Sequence, residues 1–379
     1  MLSLLLLIQG CSGPSLQSGD SETSAASDSG SQQTDTATAP TDTASGTTGD
    51  TATTSTDTAT TDTGTAPLPC FADIQSPVDY AISGAVLNAT CTGTNHQDIA
   101  GIERVVFVGD SITAGAPLPA DWTTLDLAEP EEWYRNRLAL ELAARWGLEA
   151  PDWFWQNVDL TSGESLSKLS GDFANCSKWG ARTDDLHKDN DQLADCIPED
   201  ARDQHNLVIM TIGGNDLYSL LNDVKDAVDQ ETIRAEWQEG IDDLSDAVHW
   251  LTDDPATFPG GIDVIVANIF DVTDADGAAD IADCEGAQML GLDDPLKQPF
   301  TQELVLHWQQ SLLALSAETG IDVALMGENF CGHGYNWDDT TGRCYRGGDA
   351  TLYLDATCEH PSPDGHAAIE ALMLGVIDE

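Results

Sequence analysis

Short apolar runs recur along the second part of the chain, and each stops at a glycine or a polar turn. Arg104–Val108 (RVVFV) stops before Gly109, and Leu207–Ile212 (LVIMTI) stops before Gly213-Gly214. Continuous apolar runs of this length are typical of strands that are buried on both faces, as in parallel sheets. The pattern predicts strands at 104–108, 207–212, 263–269 and 322–326.

Between these runs the apolar residues recur at helical spacing. The helix predicted over 131–147 follows Pro130 and closes on Gly147, the residue types that favour a helix start and a helix end. Further helices are predicted over 226–251, 302–318 and 364–374. Strands that alternate with helices predict an α/β fold with a parallel sheet covered on both faces. Such sheets bind ligands beyond the carboxyl ends of their strands.

The first 69 residues have a different character. Leu2–Ile8 is a short apolar run followed by a small residue and Cys11, which resembles a signal peptide with the lipobox of bacterial lipoproteins. We predict a signal peptide over 1–11 with Cys11 lipidated; an ordinary cleaved signal peptide is the alternative. Residues 12–69 are dominated by Ser, Thr and Asp and cannot bury enough apolar surface to fold. We predict a disordered linker there and one folded domain over 70–379.

The charge of the chain narrows the choice of partners. Against 66 Asp and Glu there are 14 Lys and Arg, so the net charge is −52. The chain therefore lacks the basic clusters that bind phosphates or anionic lipids, and we expect no nucleic-acid partner. Membrane contact is expected only through the N-terminal lipid. We predict a monomer in the cell envelope, with the outer membrane favoured and secretion as the alternative.

The nine cysteines also fit export. With Cys11 assigned to the lipid, an even number remains, and in an exported chain this suggests disulfides. Pairing of nearest neighbours predicts the bonds Cys70–Cys91, Cys176–Cys196 and Cys331–Cys344, with Cys284–Cys358 as the remaining long-range bond. Eight cysteines allow 105 connectivities, so the sequence favours the three local pairs and leaves the overall connectivity open.

A zinc site is the alternative use of the C-terminal cysteines. Its candidate ligands are Cys331, His333, Cys344, Cys358 and His360. Their spacing matches no familiar zinc pattern, and export favours oxidation over thiolate ligation. Disulfides are therefore favoured, and neither a metal nor another cofactor is predicted.

Four short polar motifs occur in a fixed order along the chain, and together they resemble a known set. They are Gly-Asp-Ser-Ile after the first strand, Gly-Ala-Arg-Thr at 180–183, Gly-Gly-Asn-Asp after the second strand, and His360-Pro361. This set resembles the SGNH (GDSL) hydrolase superfamily over residues 102–379. The Cys two residues before the His makes the motif most similar to that of the phospholipase B-like members. The resemblance implies a single flavodoxin-like three-layer α/β/α domain and a serine esterase or lipase without a cofactor.

The residue types suit ester hydrolysis through an acyl-enzyme. Ser111, exposed at the carboxyl edge of the sheet, is the predicted nucleophile, and His360 is the base that takes its proton. The resemblance implies an oxyanion hole made by the backbone N–H groups of Ser111 and Gly180 and the side-chain amide of Asn215.

The third member of the catalytic triad departs from the family pattern. The family places Asp three residues before the histidine, and here Thr357 stands at that position. Asp355 lies five residues before His360, and a bulge between the two would let its carboxylate reach the imidazole. We predict Asp355 as the orienting acid, since a carboxylate best stabilises an imidazolium. Glu359 and a Ser–His dyad are the alternatives.

Other polar residues are given structural interpretations. Asp110 and Asp216 are expected to hold loops through hydrogen bonds, and His366 to be a structural residue at the start of the last helix. The segment 274–277 resembles part of a calcium loop, but Val272 occupies its first ligand position. We predict a solvated acidic loop there instead.

The expected function is therefore an exported serine esterase or lipase that acts on carboxylic esters of a lipid or of an acylated carbohydrate. A carbohydrate O-acetyl esterase is the alternative within the same chemistry. An alternative of another class is a surface-binding lipoprotein whose site is vestigial.

Overall fold

A sheet of five parallel strands and one short antiparallel edge strand forms the centre of the fold. The computed structural model describes residues 70–74, 78–117, 127–187, 191–274, 298–347 and 350–379, all within the predicted domain. The predicted signal peptide at 1–11, the linker at 12–69 and Cys284 lie outside the described residues. The strands are β1 (Arg104–Gly109), β2 (Leu169–Ser170), β3 (Phe173–Asn175), β4 (Asn206–Thr211), β5 (Ile262–Ala267) and β6 (Asp322–Ala324).

The strand order is β2-β3-β1-β4-β5-β6, with β2 antiparallel to β3. In the parallel pair β1 and β4, Arg104 lies opposite Asn206 and Gly109 lies opposite Thr211. The carboxyl ends of these two central strands are therefore level, and the polar motifs that follow them meet at one edge of the sheet.

Helices cover both faces of the sheet. They are α1 (Tyr80–Ser83), α2 (Ser111–Ala114), α3 (Tyr134–Trp146), α4 (Gln192–Cys196), α5 (Gly214–Lys225), α6 (Gln230–Thr252), α7 (Gln298–Thr319), α8 (Met326–Phe330) and α9 (Pro363–Ile377). None of the helices in the described ranges is long and apolar enough to cross a membrane.

Alternate residues of β1 face two separate cores. Val106 belongs to a buried cluster with Trp237 of α6 and Trp308 of α7. Phe107 belongs to the cluster on the opposite face, with Leu138 of α3 and residues of α9. The three-layer α/β/α architecture predicted from the sequence is thereby confirmed.

The four predicted strands are present, each within two residues of its predicted bounds. The predicted helix at 131–147 corresponds to a short 3₁₀ turn at Pro130–Glu132 followed by α3, which ends at Gly147 with a left-handed φ of 70°. The helices predicted later in the chain correspond to α6, α7 and α9. The short strands β2 and β3 and the helix α5 were not predicted.

Three of the predicted disulfides are present: Cys70–Cys91, Cys176–Cys196 and Cys331–Cys344. Cys358 is also disulfide-bonded, while Cys284 lies outside the described residues. The zinc alternative is therefore wrong, since the sulfurs of Cys331, Cys344 and Cys358 are bound in disulfides and are unavailable as thiolate ligands.

Candidate active site

Ser111 lies just beyond the carboxyl end of β1, as the first residue of α2. Asp110 caps this helix, and its carboxylate accepts a hydrogen bond from the backbone N–H of Ile112 at 3.0 Å. The preceding Gly109 has a φ of 115°, and a Cβ there would lie 2.0 Å from the carbonyl oxygen of Thr211. Only glycine lets β1 approach β4 this closely before the chain turns, and this turn places Ser111 at the edge of the sheet.

Buried polar side chains beneath Ser111 form a chain of hydrogen bonds. Thr211 Oγ1 donates to Asp110 Oδ1 at 2.9 Å, Thr113 Oγ1 lies 2.7 Å from Thr211 Oγ1, and the Tyr134 hydroxyl lies 2.5 Å from Thr113 Oγ1. Burial opposes the charge of the carboxylate and raises the pKa of Asp110 to about 7. The chain ties α2 to β4 and α3, which is the structural role predicted for Asp110.

His360 lies in the loop that precedes α9, and its Nε2 is 2.9 Å from Ser111 Oγ. Burial lowers the pKa of its imidazole to about 4, so the ring is neutral at pH 7. A neutral ring nitrogen at this distance can accept the serine proton. The residues predicted as nucleophile and base are thus in hydrogen-bond contact.

The other ring nitrogen of His360 contacts Thr357, with 3.1 Å between Nδ1 and Oγ1. Thr357 Oγ1 donates in turn to Asp355 Oδ1 at 2.5 Å, and the Thr357 backbone N–H donates to the same oxygen at 2.8 Å. Burial raises the pKa of the Asp355 carboxyl to about 7, and the charge of Glu359 adds to this rise. The hydrogen-bond partner that the structure gives to Nδ1 is the Thr357 hydroxyl, and Asp355 lies behind it.

A tight turn brings Asp355 close to a histidine that follows it by five residues. The Asp355 N–H donates to the carbonyl of His360 at 2.9 Å, and the Cys358 N–H donates to the carbonyl of Asp355 at 3.0 Å. Cys358 has a φ of 69°, an uncommon conformation for a residue with a side chain. Leu354 and Pro361 close the turn as an antiparallel bridge. The chain between the two residues therefore folds back, but the Asp355 carboxylate contacts Thr357 rather than the imidazole that it was expected to reach.

The segment after β3 carries Gly180 alongside the end of β1. The Lys178 N–H donates to the carbonyl of Gly109 at 2.9 Å, and the Trp179 indole N–H donates to the backbone after α2 at 2.8 Å. Gly180 follows with a φ of 76°, which glycine adopts without strain. Within the described residues, the backbone N–H groups of Gly180 and Ser111 have no hydrogen-bond acceptor, so both can donate to a ligand.

Asn215 lies in the first turn of α5, directly after β4. Its side-chain Nδ2 donates to the carbonyl of Ala181 at 2.9 Å, which fixes the amide beside Gly180. A primary amide has two N–H donors, so one remains for a ligand in the cleft that Asn215 lines. The next residue, Asp216, accepts from the Thr183 hydroxyl at 2.7 Å and so ties the same two segments together, in keeping with its predicted loop-holding role.

A cleft of about 130 Å³ opens beside Ser111 and His360. Glu359 also lines it, and burial raises the pKa of this carboxyl to about 7. Among the described residues, the wall of the cleft is mainly apolar and includes Ile212, Leu217, Leu221, Ile269, Phe270 and Val305. Such a wall favours a hydrocarbon chain over a polyol, because removing apolar surface from water is favourable.

Two further residues were given interpretations from the sequence. His366, in the first turn of α9, is buried against the ring of Tyr134, with 6.2 Å between the ring centroids, and this agrees with a structural role. Asp274 is buried rather than solvated, and its Oδ1 accepts from the N–H groups of Gly332 at 2.8 Å and Gly334 at 3.0 Å. The prediction of a solvated acidic loop is therefore wrong at Asp274; residues 275–277 lie outside the described residues.

Sequence analysis missed the contact between Thr357 and His360. It treated Thr357 only as the residue that stands in place of the expected Asp. The spacing Asp-x-Thr was the available signal, because a Thr hydroxyl two residues after an Asp can fold back onto the turn that the Asp begins.

One protein family has a model that matches part of this chain. The model of the GDSL-like lipase/acylhydrolase family matches residues 105–280, which include Ser111, Gly180 and Asn215 and end before Asp355 and His360. No curated protein matches the chain.

Several solved structures are similar to this chain at low sequence identity. An extracellular lipase from Streptomyces rimosus is 16% identical, with 72% of this chain and 99% of that chain covered and a TM-score of 0.43. A phospholipase A1 from Streptomyces albidoflavus is 14% identical, with 72% and 99% covered and a TM-score of 0.41. The lipase Lip_vut3 from a goat rumen metagenome is 14% identical, with 72% and 97% covered and a TM-score of 0.43.

The family match begins in β1 and takes in the serine turn, the glycine segment and the asparagine turn that meet at one edge of the sheet. The histidine that contacts the serine comes from the later loop before α9. The family match and the meeting of these residues at one edge of the sheet support the SGNH/GDSL hydrolase superfamily for this chain, of which residues 105–280 are similar to the GDSL-like lipase/acylhydrolase family.

Proposed function

We propose that the protein is an exported serine esterase of the lipase type, which hydrolyses carboxylic esters through an acyl-enzyme. The observation that carries the proposal is the contact of 2.9 Å between His360 Nε2 and Ser111 Oγ, at the wall of an apolar cleft. A serine with a neutral histidine base at this distance can become a nucleophile at neutral pH.

In the first half-reaction, Ser111 Oγ forms a bond to the ester carbonyl carbon while its proton passes to His360 Nε2. The carbonyl π electrons move onto the oxygen, and the backbone N–H groups of Ser111 and Gly180 and the free N–H of the Asn215 amide stabilise that oxyanion. The oxyanion then collapses, the ester C–O bond breaks, and Nε2 returns its proton to the departing alcohol.

In the second half-reaction, water attacks the acyl group on Ser111 and gives a proton to the same nitrogen. Collapse of the second oxyanion breaks the bond to Ser111 Oγ, which regains a proton, and the carboxylic acid leaves. In this proposal Asp355 is the acid of the system. Its carboxylate lies on the far side of the His360 ring from Ser111, and its negative charge stabilises the imidazolium.

Export is supported by the three disulfides, since such bonds persist in oxidising compartments. We include in the proposal the signal peptide predicted at 1–11, a lipid on Cys11 and the linker that the Ser, Thr and Asp content predicts over 12–69. A lipid anchor followed by a long polar linker would hold the hydrolase domain away from the membrane surface.

Rates of hydrolysis along a series of p-nitrophenyl esters test the proposal. The apolar wall predicts that kcat/KM rises from acetyl to longer acyl chains, by about fourfold for each of the first few added methylenes, because each buried methylene contributes about 0.8 kcal/mol. Acetylated xylan serves as the comparison substrate. Deacetylation of xylan with poor cleavage of longer esters would favour the carbohydrate O-acetyl esterase, and no hydrolysis of any ester would contradict the proposal.

Replacement of Asn215 by Ala should lower kcat by about 10²–10³-fold, the usual cost of losing one oxyanion donor. KM should change much less, because the donor acts on the charge that develops in the transition state. Steady-state kinetics on one p-nitrophenyl ester separate the two constants. Asn222→Ala, in the same helix but outside the cleft lining, is the matched control. A loss confined to KM would show instead that Asn215 binds the ground state.

A further inference from the structure

The space behind His360 holds a threonine hydroxyl where the family pattern has a carboxylate. We propose that Thr357 is a positioning residue that couples Asp355 to His360, so that the acid acts on the base through one hydroxyl. The inference rests on the proposed function and adds Thr357 to its serine, histidine and aspartate. It is carried by two contacts of the same oxygen: 2.5 Å to Asp355 Oδ1 and 3.1 Å to His360 Nδ1.

The order of the contacts fixes the position of each proton. Above the pKa of about 7 of its carboxyl, Asp355 is ionised and only accepts hydrogen bonds, so the single hydroxyl proton of Thr357 must lie toward Asp355. A lone pair of Thr357 Oγ1 then faces His360 Nδ1, and that nitrogen must carry the proton. Nε2 is left with its lone pair toward Ser111 Oγ, which is the tautomer that can remove the serine proton.

The Asp-x-Thr turn by itself is ordinary in this chain, and this makes the histidine contact informative. In each turn, the Thr hydroxyl and backbone N–H both donate to one carboxylate oxygen. Three other turns of this kind are Asp159–Thr161, Asp271–Thr273 and Asp339–Thr341. Within the described part of the chain, only the turn at Asp355 also presents its threonine oxygen to a histidine ring.

The electrostatic setting of Asp355 also differs from that of the exposed turns. The Thr hydrogen bonds hold the pKa values of Asp159 and Asp339 below the usual range for Asp. The same bonds act on Asp355, but burial outweighs them, and the pKa of this carboxyl is raised to about 7. A buried carboxylate is poorly solvated, so an imidazolium forming across the Thr357 hydroxyl would stabilise its charge.

During attack on the ester, Ser111 Oγ bonds to the carbonyl carbon and its proton moves to Nε2. The proton on Nδ1 stays on the ring, and its hydrogen bond to Thr357 Oγ1 strengthens as the ring becomes positive. The Thr357 proton stays on Oγ1 and remains directed at Asp355. No proton reaches Asp355; the residue supplies orientation and negative charge.

Thr357→Val removes the hydroxyl and keeps the shape and the backbone N–H. We expect kcat to fall about 10–100-fold, as when a metal-bound histidine loses the outer partner that orients it, with little change in KM. Thr357→Ser, which restores the hydroxyl, should recover most of that loss. Thr341→Val removes the same hydroxyl from the exposed turn at Asp339 and should leave kcat unchanged.

The pH profile of kcat/KM separates this role from a merely structural one. Below its pKa of about 7 Asp355 loses its charge and no longer stabilises an imidazolium, so the wild-type kcat/KM should fall there. Thr357→Val uncouples this carboxyl and Asp355→Asn removes it, so in both variants the acid limb should move to the lower pH set by His360, whose pKa is about 4. The other titratable groups nearby, Glu359, Tyr335 and His366, are unchanged in both variants. The double variant should be no more impaired than the worse single variant, because both substitutions break one chain of contacts.

Several results would overturn the inference. If Thr357→Val keeps the wild-type kcat and acid limb while Ser111→Ala is inactive, Thr357 has no part in the mechanism. The proposed serine esterase would then stand without it. Loss of activity in Thr357→Val together with a lowered Tm and an unmoved acid limb would show a structural role.

A measurement on the unmodified protein applies even where a variant fails to fold. ¹⁵N NMR of histidine-labelled protein at about pH 9, where Asp355 is ionised, should show His360 with Nδ1 protonated and Nε2 without a proton. Loss of the signal in His360→Gln assigns it. A proton on Nε2 instead would contradict the proposed chain, whatever the activity of the protein.

Discussion

Ser111→Ala should lower kcat/KM for a p-nitrophenyl ester by about 10⁴-fold or more, the largest loss of any single substitution in this protein. Alanine has no oxygen to attack the carbonyl carbon, so no acyl-enzyme can form. The cleft and the oxyanion donors remain, and they would support only the slow attack of water. Initial rates with purified protein give the loss, and a fluorophosphonate probe that labels the wild-type serine should leave the variant unlabelled.

The fold should survive this substitution. Ser111 is 9% exposed and the change deletes one oxygen atom, whose contact in the structure is His360 Nε2. The change in the free energy of unfolding should stay within about 1 kcal/mol, and Tm should be close to that of the wild type. Ser165→Ala is a matched control, since Ser165 is 7% exposed and lies outside the cleft lining. Substantial activity in a folded Ser111→Ala protein would refute the nucleophile and the proposed function with it.

The elements that sequence analysis found and missed differ in how local their signals are. The strands β1, β4 and β5 are buried on both faces, so an unbroken apolar run marks each of them. The strand β3 has three residues, Phe173–Asn175, and forms because it pairs with β1, from which it is distant in the chain. The helix α5 begins with Gly214-Asn215-Asp216, residue types that favour turns, and its helical conformation is stabilised by packing against α6 and α7.

The same distinction applies to the site. The serine and asparagine turns follow strands that the sequence marks clearly, so the sheet edge on which Ser111 and Asn215 would lie could be predicted. The position of Asp355 could not, since it depends on a turn through Cys358 in a left-handed conformation and on the bridge that closes that turn. Sequence separation alone does not show whether five intervening peptide bonds extend or fold back.

His360→Ala should reduce kcat/KM by nearly as much as Ser111→Ala, and the double variant should be no worse than either single variant. The two side chains act as one unit, since a serine without its base is a weak nucleophile and a base without its serine has no proton to take. Steady-state rates of the three variants on one ester give the comparison directly. If the losses multiplied in the double variant, the two residues would act independently.

The rate that remains in His360→Ala should rise with pH above about pH 8, where the wild type is level because Asp355 is already ionised. In the wild type, burial lowers the pKa of His360 to about 4, so the ring is already neutral at pH 7 and raising the pH supplies no further base. In the variant only hydroxide can take the serine proton, and its concentration increases tenfold per pH unit. His249→Ala is the matched control, because the His249 Nδ1 lies 2.8 Å from Asp253 at the surface, and it should keep both the wild-type rate and the flat profile. A flat profile in His360→Ala would mean that another group accepts the proton, and Glu359, which lines the same cleft, would be the residue to replace next.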